Sequence, residues 1–233
     1  MPNICSNTLW VVGRPKFVNE FLDKSRNPRY GKLLPKDDEL PARRRVRDSR
    51  EWAIFENHLP CPKELRDTQA IFYSNDESRA NQIMIESHNL KTYGAKHWYD
   101  WCLDNWGTKW GDYDTSLDAS GRHGACLSFS TAWSPGTAGL EKISALHPEL
   151  VFVNAYEESG CDFIGCDVFY RGKKIHGGSG GFPQGPDDWE DWEMVDAYEL
   201  KVEATRGKWL KKAVSKLEKK SHFHAKKLKS LAR

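Results

Sequence analysis

Between Trp98 and Trp110 the chain reads W-Y-D-W-C-L-D-N-W-G-T-K-W, which places four of its ten tryptophans in one short run. A tryptophan removes about 150–250 Å² from water when it packs, and its indole N–H then needs a partner. Such a run is either the densest part of a core or a binding platform. Trp98, Trp101, Cys102 and Asn105 recur at i, i+3, i+4 and i+7, which is one helix face. With Gly107 as the residue past the end, the spacing predicts a helix over about Ala95 to Trp106 whose stripe packs inward. Trp106 and Trp110 fall at and beyond the helix end. They are expected first to lock the turn against Trp133, and only second to form a site.

The rest of the chain alternates in type around this segment. Asn3 to Gly13 reads as a strand, with Cys5, Asn7, Leu9 and Val11 on one face. Pro15 suits a helix first turn, and Phe17, Val18, Phe21 and Leu22 continue it to about Lys24. Asn27 to Cys61 carries four prolines and reads as a loop-rich insertion, with Arg50 to Asn57 as one short helical piece. Asn75 to Leu90 looks helical, with Asn75 as N-cap and Ile83, Met84 and Ile85 as its apolar centre. Strands are expected over Lys109 to Tyr113 and Gly124 to Ser130, turning through Asp118-Ala119-Ser120-Gly121. A helix over Gly136 to His147 and a strand over Leu150 to Glu157 follow, with Pro148 as the helix stop. Cys161 to Tyr170 and Lys173 to His176 read as a hairpin, and Gly177 to Gly181 as a flexible exit. Asp187 to Leu200 is acidic and helical in pattern, and a last helix runs from about Arg206 to Leu231.

This order is a βαββαβ pattern, the ferredoxin-like split unit. The expected class is therefore α+β: a ferredoxin-like sandwich with a helical insertion, an extra hairpin and a long basic C-terminal helix. The division is a domain over 1–205, with the insertion at about 27–96, and a basic amphipathic helix over 206–233.

Charge sharpens that division. Of the chain's 35 basic and 33 acidic residues, 11 and one lie from Arg206 onward. The body is thus acidic and the tail basic, a pattern typical of interaction tails. No run of about 18 apolar residues is present, which excludes a spanning helix. The start lacks a basic and apolar leader pattern, and the six scattered cysteines do not resemble a secreted disulfide scaffold. Reduced thiols and a cytoplasmic location, in a bacterial host, are the expectation.

Four words add to the pattern. Met1-Pro2-Asn3-Ile4-Cys5-Ser6-Asn7 resembles the opening of the YubB-like, ferredoxin-like-domain family of phage and conjugative-plasmid proteins. Trp101-Cys102-Leu103-Asp104-Asn105-Trp106-Gly107-Thr108-Lys109-Trp110 resembles that family's W-C-x-x-N-W-G-T-K-W. Phe129 to Pro135 resembles its F-x-T-A-W-S-P, and Tyr156 to Gly160 falls where it carries Y-x-E-x-G. The resemblance implies the ferredoxin-like fold and a mobile-element origin. It brings no catalytic residues, and Ile4 departs from the tryptophan common there.

The chemistry-bearing side chains do not converge in sequence. Cys102 with His97, and Cys126 with His123, are the available nucleophile and base pairs, and neither spacing aligns them. No acid and histidine spacing suggests a metal site, and no P-loop follows the glycine run. No catalytic residue and no cofactor is expected. The reading is a non-enzymatic binding or inhibitor protein of a phage or plasmid that engages a host or defence component, a protein or nucleoprotein. An enzyme of unknown reaction would need a polar pocket near Trp106, Thr108, Lys109 and Trp133. Direct nucleic-acid binding is the other alternative, through the Arg43, Arg44, Arg45 and Arg47 cluster and the tail lysines.

The binding candidates are those four arginines with Trp106, Lys109, Trp110, Trp133, Lys211, Lys212, Lys219, Lys220, Lys226 and Lys227. Exposed strand aromatics, Trp10, Phe129, Phe152 and Tyr156, are candidates for stacking bases. Leu210, Val214, Leu217, Ser221, His224, Leu228 and Leu231 form a heptad seam, able to dock on the body or pair two copies. The acidic stretch with Trp189 and Trp192 can imitate nucleic acid, face solvent, or dock on the basic tail.

Overall fold

The computed structural model of the chain describes residues 3–26, 51–66, 68 and 76–229. Among these, β1 (Ile4–Gly13) leads into α1 (Pro15–Ser25), and two one-turn helices follow, α2 (Phe55–His58) and α3 (Lys63–Arg66). Then come α4 (Asp76–Tyr93), α5 (Trp98–Trp106), the hairpin β2 (Tyr113–Gly121) and β3 (Gly124–Ala132), and α6 (Thr137–Leu146). The chain continues through β4 (Leu150–Glu158), β5 (Phe163–Tyr170), β6 (Lys173–Gly180), α7 (Trp192–Glu218) and α8 (His222–Leu228). The Arg43–Arg47 cluster, the Asn75 cap and Leu231 lie outside the described residues.

The sheet order is β2-β3-β1-β4-β5-β6, antiparallel throughout. The first four strands give the ferredoxin-like arrangement, with β1 central because both β3 and β4 return beside it. The β5–β6 hairpin widens that sheet at the β4 edge. Alternation decides which face each side chain takes. Leu9, Val11, Leu127, Phe129, Phe152 and Phe169 pack beneath the helices with Val18, Phe21, Leu140 and Ile143. Val12, Val151, Val153, Cys166 and Val168 point the other way, under Ala213, Val214, Leu217, Ala225 and Leu228. The sheet is thus packed on both faces, by α1, α5 and α6 on one and, over β4 and β5, by the tail on the other.

Several expectations change here. The β2 strand starts at Tyr113 and runs through Asp118-Ala119-Ser120-Gly121, so the turn is only Arg122-His123. The insertion is not merely a surface loop: Trp52, Ile54, Phe55 and Leu65 are core residues. They are drawn in because Asp112 accepts from the backbone N–H of Ile54 and Phe55, at 2.8 and 2.7 Å. In α4 the apolar centre faces outward: Ile83, Met84 and Ile85 are exposed, while Gln82 and Asn89 are buried. The glycine run is not a flexible exit but the end of β6. A Cβ at Gly178 would meet the Trp209 ring at 2.2 Å, so only glycine lets α7 approach there.

The tail also differs. Its helix begins at Trp192, breaks at Lys219-Lys220-Ser221 and resumes as α8. The acidic and basic stretches are therefore two ends of one helix about 40 Å long at 1.5 Å per residue, and do not pair face to face. Val214, Leu217, His224 and Leu228 of the heptad seam are buried on the sheet. That removes the apolar seam from pairing two copies.

Candidate functional site

The two tryptophan-bearing words meet at one end of the sheet. His97 caps α5, its ring nitrogen accepting from the Asp100 N–H. Gly107, at φ 75°, closes the helix by donating to the carbonyls of Cys102 and Leu103, the left-handed C-terminal cap that favours glycine. Trp106 turns inward and is 4% exposed. Its ring meets Trp101 edge-on at 5.3 Å and Phe55 at 6.2 Å, and its Nε1–H donates to the Leu59 carbonyl at 2.8 Å. Trp106 therefore locks the turn against the insertion and not against Trp133. It is core, with its one polar group spent, and not a binding residue.

Trp133 is built differently. It sits at φ 68° with its side chain 47% exposed. A bulky residue in the left-handed region costs about 1–3 kcal/mol and persists only where its surroundings fix it. Here they do. The Trp133 N–H donates to the Asn3 carbonyl at 3.0 Å, and the Ser134 N–H to Ala132 at 2.9 Å. The Thr131 hydroxyl donates to the Ser134 carbonyl and Thr108 to Ala132, at 2.6 and 2.7 Å. The Ser134 hydroxyl donates to Gly107, tying the two words directly.

Between them lies a groove of about 310 Å³, lined by Tyr99 and Leu103 of α5, by Thr108 and Lys109, and by Ala132 to Ser134. Tyr99 and Leu103 are about as exposed as Trp133, at 39% and 41%. Lys109 spreads over the Trp110 ring at 4.9 Å, which holds its ammonium at the rim. Large apolar side chains held open on one patch mark contact surfaces more often than chance exposure does. Tyr99 and Leu103 were missed in sequence because an i, i+4 pair on the outer helix face looks like ordinary surface. The structure brings Lys109 and Trp133 to one groove, sets Trp110 against Lys109, and buries Trp106 in the core.

The other candidates sit elsewhere. Lys211, Lys212, Lys219, Lys220 and Lys226 project from the docked tail, and Lys227 is half-buried. The α8 helix packs at the Gly13 end of β1, where His224 meets the Glu149 carbonyl and Phe223 meets His123. The groove is at the Ile4 end, so the tail lysines of α8 are not part of it. Phe129 and Phe152 lie in the helix-side core and Tyr156 is buried, so none stacks a base; Trp10 alone of those four keeps partial exposure on the outer face.

Burial pushes the Cys102 thiol up to about 12 and Cys126 to about 11, both far from thiolate character at neutral pH. Thr108, beside the groove, is buried and spends its hydroxyl on the Ala132 carbonyl. One chain was not legible in sequence: Ser25 Oγ lies 2.9 Å from His58 Nε2, and His58 Nδ1 lies 2.8 Å from His147 Nε2. It resembles a relay, but Ser25 donates to the Phe21 carbonyl at 2.9 Å and is fully buried. His58 must then donate to Ser25, the reverse of what a general base does. Phe21 stacks on His58 at 4.5 Å. The chain fastens α1 to α2 and α6, and burial lowers His58 to about 3 and His147 to about 4. Among the described residues no three His, Cys, Asp or Glu side chains are placed to hold a metal ion, and no helix is long and apolar enough to cross a membrane.

The match to a family model agrees with the fold. No curated protein matches the chain. The crystal structure of protein Api92 from Yersinia pseudotuberculosis aligns over 80% of this chain and 100% of its own, at 12% identity and a TM-score of 0.44. Residues 105–198, from within the first tryptophan word into α7, match the family model described as the ferredoxin-like domain in Api92-like protein. That family differs from the YubB-like one which the sequence words resemble, and the two agree on a ferredoxin-like domain. The chain carries a ferredoxin-like domain, similar over residues 105–198 to that of Api92-like proteins.

Proposed function

We propose that this chain is a non-enzymatic binding protein whose recognition surface is the Trp133 groove, and that its partner is another protein. The observation that carries the reading is Trp133 itself: an exposed indole in a strained backbone conformation, held there by hydrogen bonds from two separate words. Strain maintained at a surface aromatic serves recognition better than stability, because burying the same ring would have stabilised the fold. Trp133, Tyr99 and Leu103 provide the apolar anchor of a contact, and Lys109 its charged rim.

The resemblance of the words to phage and conjugative-plasmid proteins supports a finer reading. On it the chain comes from a mobile element, acts in the cytoplasm of a bacterial host and antagonises a host or defence component. Site-specific photo-crosslinking tests both. A photoreactive residue at Tyr99, in cells carrying the element, should yield one dominant adduct that Trp133→Ala removes. Equal crosslinking with and without Trp133 would overturn the groove as the recognition surface.

A further inference from the structure

The outer face of the sheet is only partly covered by the tail. α7 lies over β5 and β6, and the apolar side of α8 covers the Gly13 end of β1. Before that end, the outward residues of β1 and β3 keep contact with solvent: Ser6 opposite Ser130, Thr8 opposite Ser128, and Trp10 opposite Cys126. Ser116 of β2 pairs with Ser128 and continues the row of hydroxyls. The Asp118 carboxylate beside them already accepts from Ser116 and Ser128.

Trp10 stands at the border between the two halves, partly packed on the tail-side core. Beside it a groove of about 330 Å³ opens over the end of the β2–β3 hairpin, with Val12, Ala119, Gly121, Gly124 and Cys126 among its lining. Its surface is mostly apolar, and the two glycines leave its floor without side chains. The bordering wall is basic. Phe223 of α8 packs on His123 of the hairpin turn at 5.8 Å. Lys219, Lys220, His222 and Lys226 of the segment around Phe223 are exposed, as is Arg122 beside His123. One partly exposed indole at the border, a row of hydroxyls and a basic segment match three parts of one ligand: a base, a ribose and a phosphate.

We propose that this open half of the sheet is a binding site for single-stranded RNA, with a base stacked on Trp10. Thr8, Ser128 and Ser130 face the ribose hydroxyls, and Lys219, Lys220 and Lys226 the phosphates. The site is separate from the Trp133 groove and does not rest on it, so Trp133→Ala leaves it intact.

Fluorescence anisotropy of the full chain with a labelled oligouridine about 20 nucleotides long tests the site. Binding should weaken as salt rises, and replacing Lys219, Lys220 and Lys226 by Glu should weaken it and flatten that dependence. Loss of one stacked base by Trp10→Ala should cost about fivefold or more, while Trp10→Phe keeps most of the affinity. Ala119→Glu, on the exposed rim, places a carboxylate against the phosphates without touching the core and should also weaken binding. Deoxyuridine oligomers of equal length should bind less tightly. No anisotropy change at low salt overturns the proposal, as does parent-like binding by both Trp10→Ala and Ala119→Glu. DNA binding as tight as RNA overturns the ribose assignment.

Discussion

Trp106 and Trp133 sit in neighbouring turns of the same molecule and solve opposite problems. Each stands at the end of a regular element, and each turn is fastened by backbone hydrogen bonds. Trp106 buries its ring between Trp101 and Phe55 and spends its indole N–H on Leu59. Trp133 accepts a left-handed backbone and leaves nearly half of its ring in water. The first arrangement lowers the free energy of the fold. The second raises it, and the surrounding hydrogen bonds offset the cost. Sequence composition rates the two alike; only their surroundings separate a folding residue from a recognition residue.

The comparison breaks most visibly at Trp106. Trp106→Ala should destabilise the chain by about 3–5 kcal/mol in denaturant unfolding, since it leaves a cavity and an orphaned Leu59 carbonyl. A loss below 1 kcal/mol would mean that the insertion does not depend on this ring.

Acid should strike the same helix layer next. His58 is neutral when folded and binds a proton once unfolded, so its contribution is complete above its ordinary value of 6.5. The contribution falls with pH toward about 3. At two pH units below that ordinary value the loss is roughly 2–3 kcal/mol from His58, with a smaller share from half-buried His147. Urea melts across this range should show it, and His58→Gln should flatten the slope by close to one proton. An unchanged slope would show that the pair is not buried neutral.

A third variant probes the tail. Gly178→Val drives a side chain into Trp209 and should cost about 1–3 kcal/mol, with α7 loosening first in hydrogen exchange. Uniform loss across the sheet instead would show that tail docking is not a separate step.

The smallest effect is the most informative. Trp133→Gly relieves the left-handed strain and should leave stability unchanged or raise it by up to about 1 kcal/mol, while abolishing capture of the partner. A destabilised Trp133→Gly chain would place Trp133 in the same class as Trp106 and remove the basis for the groove.

Parts of this were legible in advance. Helical spacing put Trp101 and Cys102 inward, Gly107 marked the end of α5, and alternation in Leu9, Val11, Leu127 and Phe129 oriented β1 and β3. The candidate site was half legible: Lys109, Trp110 and Trp133 stood out as words, but Tyr99 and Leu103 did not. Periodicity reports which residues share a face, not what covers that face. The same limit misplaced Ile83, Met84 and Ile85, which cluster in sequence yet point outward on α4.

By itself the sequence determined the order of elements, the α+β class and the charge polarity of the tail, because these follow from local spacing and composition. The tertiary structure alone decided which tryptophan is core and which is surface. It also showed that the heptad seam is spent on the sheet and that the glycine run of β6 admits Trp209. Each of these depends on contact between segments more than thirty positions apart. No local pattern encodes the far partner.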